Sequence, residues 1–139
     1  MKNLKAVNQY IANLAVLNIK THNLHFNVVG SSFKNVHEYL ESIYNTYFEY
    51  YDAVAELVKM QGQMPSVSTE EYMKAATIKE VPAEALDIVL KDLEVMTKAA
   101  LKIREGAEKE DNFLLANMME DHVAYYMKQR WFISATLYK

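Results

Sequence analysis

Apolar side chains recur every three or four residues through four long segments of this 139-residue chain. That spacing places them on one face of an α-helix, so each segment predicts a long amphipathic helix. The chain contains 3 glycines and 2 prolines, too few for the many turns of a β fold. The expected fold class is therefore all-α, with helices over about residues 4–28, 35–61, 83–106 and 112–137.

Glycines mark the expected ends of three of these helices. Gly30, Gly62 and Gly106 each follow an apolar helical pattern. Glycine is common just past a helix C-terminus, because it adopts the left-handed backbone conformation without a steric penalty. The sequence therefore predicts that the first three long helices stop at or before these residues.

The connection between the second and third helices is unusually long. It spans residues 62–82, and within it Ser68 and Glu71 have the spacing of a capping box, which predicts a short helix over 69–76. An antiparallel neighbour needs no connection of this length, whereas a crossover along a bundle does. The sequence thus predicts one domain over residues 1–139, a four-helix bundle with a long crossover, which is the ferritin-like arrangement.

Composition narrows the function classes. The net charge is −3 and the pI about 5.8, which opposes non-specific nucleic-acid binding by the folded body. There is no cysteine, so neither a disulfide framework nor thiolate chemistry is expected. No apolar run is long enough to predict a membrane span, and no signal peptide is expected. These features predict a cytoplasmic location.

One face of the second helix concentrates metal-competent side chains. At roughly 100° per residue, with His37 set at zero, Glu41 falls at roughly 40°, Asp52 at roughly 60° and Glu56 at roughly 100°. No lysine or arginine occurs between residues 35 and 58. Imidazole and carboxylate together suit first-row transition metals, so this face is a candidate metal site.

The axial spacing of these residues argues against a site within one helix. The two i, i+4 pairs, His37 with Glu41 and Asp52 with Glu56, lie about 22 Å apart along the axis. Ligand bonds are about 2 Å long, so a single ion cannot reach both pairs. Two separate half-sites in one chain remain an option. An antiparallel two-fold dimer, crossing near residues 45–47, instead unites the pairs in two equivalent sites, with His25 from the first helix completing each.

The alternative interpretation is a solvated acidic face, as on any amphipathic surface helix. Exposed helix faces usually mix charge signs because like charges at i, i+4 repel, and the absence of basic partners opposes this alternative. His22 fits the commoner role of a histidine satisfied within the core.

Three stretches of the chain carry a family resemblance. They read N-L-A-V-L-N-I-K-T-H-N-L-H-F-N-V-V-G at 13–30, F-K-N-V-H-E-Y-L-E at 33–41 and D-A-V-A-E at 52–56. The sequence resembles the Dps proteins, the dodecameric mini-ferritins of bacteria and archaea, over nearly its whole length.

The resemblance implies an iron-oxidising and iron-storing mini-ferritin. The ferroxidase ligands of the family, which are both catalytic and metal-binding, fall at the positions of His25, His37, Glu41, Asp52 and Glu56. The family's site is shared between two-fold-related subunits. Fe(II) is then the substrate, hydrogen peroxide or oxygen the oxidant, and ferric mineral is stored in a hollow shell, which protects against oxidative stress. Iron is the expected metal, with zinc or manganese as possible substitutes.

The alternative function is a non-enzymatic nucleoid protein that coats DNA. Some members of the family bind DNA through a Lys-rich N-terminal extension. In the corresponding part of this chain the only lysines are Lys2 and Lys5. With a net charge of −3, DNA binding is expected to be weak or absent. A third option, a helical interaction module with inactive metal sites, is opposed by the retention of all five ligand types.

The chain also departs from the family pattern. Phe26 stands where tryptophan is usual, which argues against an electron-relay role at that position. Acids that line the family's three-fold iron-entry pores are partly kept, since Glu108 fits one position whereas Phe113 and Asn117 fill others. Nearby acids offer an alternative route for iron: Glu110, Asp111, Glu120 and Asp121.

Overall fold

The structure is a computed structural model that describes residues 1–81 and 86–138. The all-α prediction is confirmed for these residues, which contain five helices and no strand. The helices are α1 (Leu4–Asn27), α2 (Phe33–Met60), α3 (Thr69–Ala75), α4 (Leu86–Lys109) and α5 (Phe113–Thr136). The predicted start of the third long helix at residue 83 lies outside the described residues. Within them, no helix has the length and apolar character to cross a membrane.

The ends of α2 and α3 follow from local sequence. Gly62, with φ +76°, donates its N–H to the Lys59 carbonyl, and Gln63 donates to Val58, which is the Schellman arrangement that closes α2. At α3 the Ser68 hydroxyl accepts the Glu71 N–H at 3.2 Å, so the predicted N-cap is confirmed.

The predicted stop at Gly106 is wrong, because α4 continues through it to Lys109. A Cβ on Gly106 would lie 3.2 Å from the side-chain nitrogen of Asn3. This glycine therefore allows a close approach of another segment rather than ending the helix. The helix ends where Asp111 adopts φ 55° and the Asn112 side chain caps α5 by accepting the Leu115 N–H.

The described residues divide into two compact units. Unit 1 comprises Met1–Tyr10 and Leu86–Lys139, and unit 2 comprises Ile11–Ala85. The single domain over residues 1–139 stays a prediction. In unit 1, α4 packs on α5 through side chains at helical spacing, which bury an apolar core. Its members include Leu93, Met96, Ile103, Leu115, Met119 and Ile133.

Unit 2 holds most of α1 together with α2 and α3, and its crossover is tied down by polar side chains. The buried Asn13 accepts the backbone N–H groups of Thr77 and Ile78 at 2.8 and 3.1 Å and donates to the Thr77 hydroxyl. The hydroxyls of Tyr51 and Tyr72 hydrogen-bond to each other, which joins α3 to α2. These contacts fix the connection after α2 without an apolar core in α3.

A buried polar network occupies unit 1. The Tyr10 hydroxyl lies 2.8 Å from His122 Nδ1 and 2.5 Å from the Tyr126 hydroxyl. Burial lowers the pKa of the His122 imidazole from 6.5 to about 3, because the interior disfavours the imidazolium. The folded protein therefore keeps His122 neutral across the physiological range of pH.

Stability should consequently fall in acid because of His122. As the pH drops below 6.5, unfolded chains bind a proton that the folded protein does not accept until near pH 3, so stability is lost across this window. The loss is about 1.4 kcal/mol per pH unit, or about 2 kcal/mol between pH 6.5 and 5. Urea unfolding at pH 7 and pH 5, at equal protein concentration, should show wild type losing that much more stability than His122→Gln.

Tyr126→Phe is the matched control, because it removes a hydroxyl of the same network but keeps the imidazole. Its loss between pH 7 and pH 5 should equal that of wild type. If His122→Gln loses as much stability as wild type over this range, His122 is not held neutral by the fold.

Candidate metal centre

Two of the predicted ligands, His25 and His37, meet where α1 ends and α2 begins. Their rings stack with centroids 3.6 Å apart and planes inclined by 14°. His25 Nδ1 lies 2.6 Å from the His37 carbonyl oxygen, and His37 Nδ1 lies 2.7 Å from the His25 carbonyl oxygen. Each histidine is thus held by the backbone of the other.

These two hydrogen bonds settle which ring nitrogen is available. A carbonyl oxygen only accepts, so each Nδ1 carries its proton and donates. The Nε2 atom of each ring is left to present a lone pair to a metal, and a metal-bound histidine usually donates its other ring N–H to an acceptor such as a backbone carbonyl. The chemistry of this pair fits a divalent transition metal.

Glu41 lies one turn further along α2, beside Tyr44. The Tyr44 hydroxyl donates to Glu41 Oε1 at 3.3 Å. The pKa of Tyr44 is raised above 10.0, first by partial burial and then by the nearby Glu41 carboxylate, so the phenol stays protonated and remains a donor. Glu41 itself is exposed.

Asp52 and Glu56 form the second predicted pair near the other end of α2, and both are exposed. Their carboxyl groups hydrogen-bond to each other, and this bond, followed by the negative charge of Asp52, raises the pKa of Glu56. They line a groove of about 530 Å³ with Ala55, Lys59, Met60, Met64, Pro65 and Val67.

The structure brings the five predicted residues together only in part. His25 meets His37, and Asp52 meets Glu56, but the described residues contain no group of three or more His, Cys, Asp or Glu side chains placed to hold a metal. One chain thus presents two incomplete sets of ligands. Tyr44 was not among the predicted site residues, although it follows Glu41 by three residues and so shares its helix face.

Comparison with known proteins decides the family. The sequence model of the ferritin-like domain family matches residues 4–139. The DNA protection during starvation protein of Helicobacter pylori is 31% identical over 143 residues, which cover 99% of this chain and 99% of that protein. The chain belongs to the Dps family of ferritin-like proteins.

Solved Dps structures confirm the fold. A Dps protein from Vibrio cholerae, described as a member of a broad superfamily of ferritin-like diiron-carboxylate proteins, has a TM-score of 0.93 at 26% identity, over 98% of this chain and 89% of the other. Dps from Listeria innocua soaked with zinc gives 0.94 at 26% identity, over 99% and 97%. The predicted class, an all-α ferritin-like four-helix bundle, is therefore confirmed, and the chain is a Dps-type stress protein of an iron-binding superfamily.

Of the five acids named for the expected iron-entry route, three are paired within unit 1: Glu108, Glu110 and Glu120. Arg104 contacts Glu108 at 2.8 Å through Nη1 and Glu120 at 3.4 Å through Nη2. Glu110 accepts the backbone N–H of Lys2 at 2.7 Å. These carboxylates offer less free negative charge to a passing cation than the sequence pattern suggested.

Proposed function

We propose that this protein oxidises Fe(II) with hydrogen peroxide or oxygen at sites shared by two-fold-related copies, and stores the ferric product in a hollow dodecameric shell. The observation that carries the proposal is the pair of incomplete ligand sets, His25 and His37 near one end of α2, Asp52 and Glu56 near the other. The first set lacks the carboxylates of the second, and the second lacks the imidazoles of the first. The proposed function protects the cell against oxidative stress, and we propose a cytoplasmic location for it.

A two-fold axis across α2 supplies the missing ligands. In an antiparallel pair of α2 helices that sets His37 level with the partner's Glu56, Glu41 lies level with the partner's Asp52, because both pairs are four residues apart. An isologous interface makes this match twice, so each dimer holds two complete sites. Each site then has two imidazoles and three carboxylates.

The donor set suits iron in both oxidation states. Carboxylates hold the hard Fe(III) product, while imidazole helps to retain Fe(II). Three carboxylates nearly offset the charge of two divalent ions, and five side chains also suit one tightly bound ion with a weaker second. When two Fe(II) ions each give one electron, one hydrogen peroxide and two protons become two waters, and no hydroxyl radical is released. Zinc and manganese are proposed as substitutes at the same ligands.

Anaerobic titration with Fe(II), followed by peroxide, tests the proposal. Fe(II) binding should saturate at one to two ions per chain, because each dimer has two sites and each site five side chains. Addition of peroxide or air should then produce ferric absorbance faster than in protein-free buffer. Binding that never saturates, or oxidation at the rate of buffer alone, would contradict a ferroxidase site.

DNA coating is the alternative function, since the Helicobacter pylori relative is named for DNA protection. A net charge of −3 means that the folded body repels phosphate and releases few counterions on contact. We expect little retardation of DNA in a gel shift at neutral pH and about 0.15 M salt. Tight binding under these conditions would favour the alternative.

A further inference from the structure

Tyr44 contacts α1 both through its backbone carbonyl and through its ring. The Asn18 side-chain amide donates to the Tyr44 backbone carbonyl at 2.9 Å. The backbone carbonyl of the same Asn18 accepts from His22 Nδ1 at 2.7 Å, and the His22 ring lies almost flat against Tyr44 with centroids 3.5 Å apart. The Tyr44 ring is therefore packed against a histidine that is itself held by a hydrogen bond.

From this position Tyr44 contacts two different ligands of the proposed site. Its hydroxyl donates to Glu41 Oε1, and its ring packs edge-on against His25, with centroids 5.2 Å apart. Glu41 is exposed, and a glutamate side chain in water samples several rotamers that point away from any one metal position. Because Oε1 accepts from Tyr44, the Oε2 atom of Glu41 remains to bind a metal.

We propose that Tyr44 is a positioning residue of the metal site. Its phenol restricts the rotamers of Glu41, one helical turn from His37, and its ring limits the movement of His25, so that Tyr44 positions two of the three ligands that one copy contributes. This inference rests on the proposed function, because it assigns Tyr44 a role toward ligands of that site. It also gives His22 a function, as the support beneath Tyr44 rather than as a ligand.

The expected loss of metal affinity can be judged from other residues that hydrogen-bond to a metal ligand. Loss of such a partner usually costs about 10–100-fold in metal affinity. The Tyr44–Glu41 hydrogen bond is 3.3 Å long, beyond the usual range, which places the effect at the lower end. We expect Tyr44→Phe, which keeps the ring and removes only the hydroxyl, to weaken metal binding about tenfold.

Zinc affinity, measured by competition with a coloured chelator, tests this role independently of iron oxidation. Tyr44→Phe should weaken zinc binding about tenfold when Glu41 is present and cause no further loss when Glu41 is replaced by alanine. Tyr51→Phe is the matched control, since it removes a hydroxyl of the same helix that bonds to Tyr72, and it should bind zinc as wild type does. Circular dichroism and light scattering verify that each variant folds and assembles like wild type.

The outcomes separate this inference from the proposed function. If Glu41→Ala weakens zinc binding but Tyr44→Phe does not, the positioning role is overturned and the ligand set stands. A loss from Tyr44→Phe that is equally large in the Glu41→Ala background also overturns it, because Tyr44 would then act by another route. If Glu41→Ala itself binds zinc like wild type, the ligand assignment fails and the positioning role fails with it.

Discussion

His37→Ala and Asp52→Ala proteins are each expected to be nearly inactive in Fe(II) oxidation, and co-assembly of the two is expected to restore activity. In each mixed dimer the proposed arrangement puts both substitutions in one site and neither in the other, because it takes the two residues of a site from different copies. About one site in two per mixed dimer should work, which is about a quarter of all sites when equal amounts assemble at random. Initial rates after unfolding and joint refolding of the two proteins measure this recovery.

A second mixture provides the control. His25→Ala and His37→Ala alter the same half of the site, so every site in their mixed dimers lacks one imidazole, and no recovery is expected. If the first mixture stays as inactive as its components, although light scattering shows full assembly, the ligands do not come from two copies. Half-sites confined to one chain would then be the better description.

Glu56→Gln should abolish most Fe(II) oxidation while leaving the assembly intact. The amide has the size of the carboxylate but lacks its charge, so the site loses a ligand that both binds Fe(II) and stabilises Fe(III). Loss of a residue that only hydrogen-bonds to a metal ligand costs about 10–100-fold in metal affinity. We expect loss of a ligand itself to lower the rate by at least as much. We expect assembly to rest mainly on apolar packing, so the particle size should not change. Stopped-flow absorbance and light scattering measure the two properties.

Glu49→Gln is the matched control for that experiment. Glu49 is an exposed acid of the same helix and lies outside the proposed ligand set. Its replacement removes the same charge and should leave the rate unchanged. Equal rates for wild type and Glu56→Gln would instead support the alternative that the acids of α2 form a solvated face.

Regular local patterns predicted much of this fold, and tertiary contacts account for what they missed. The apolar spacing located the long helices, and the Ser68 cap located α3 to within a residue. The prediction at Gly106 was wrong because glycine occurs both at helix ends and where another segment packs closely. Only the position of Asn3 distinguishes the two cases. A local pattern carries no information about such a neighbour, because the two residues are distant in the chain.

For the candidate site, too, local spacing predicted some features and missed those that depend on tertiary contacts. Spacing along α2 placed His37, Glu41, Asp52 and Glu56 on one face and predicted that they need a second copy, which stays a prediction. Spacing did not reveal that Tyr44 contacts both Glu41 and His25, because the second contact joins residues of different helices. Its i, i+3 relation to Glu41 was the available signal, but α2 contains five tyrosines and spacing alone does not single out this one.

The reciprocal bonds between His25 and His37 have a consequence for metal binding at the proposed site. Each ring is hydrogen-bonded through Nδ1 to the backbone of the neighbouring helix, so rotation of both imidazoles is restricted. An ion that binds there has little chain entropy to remove, and it must accept the geometry that it finds. At the proposed site, discrimination between metals would then depend on how well each ion tolerates two nitrogens of restricted position.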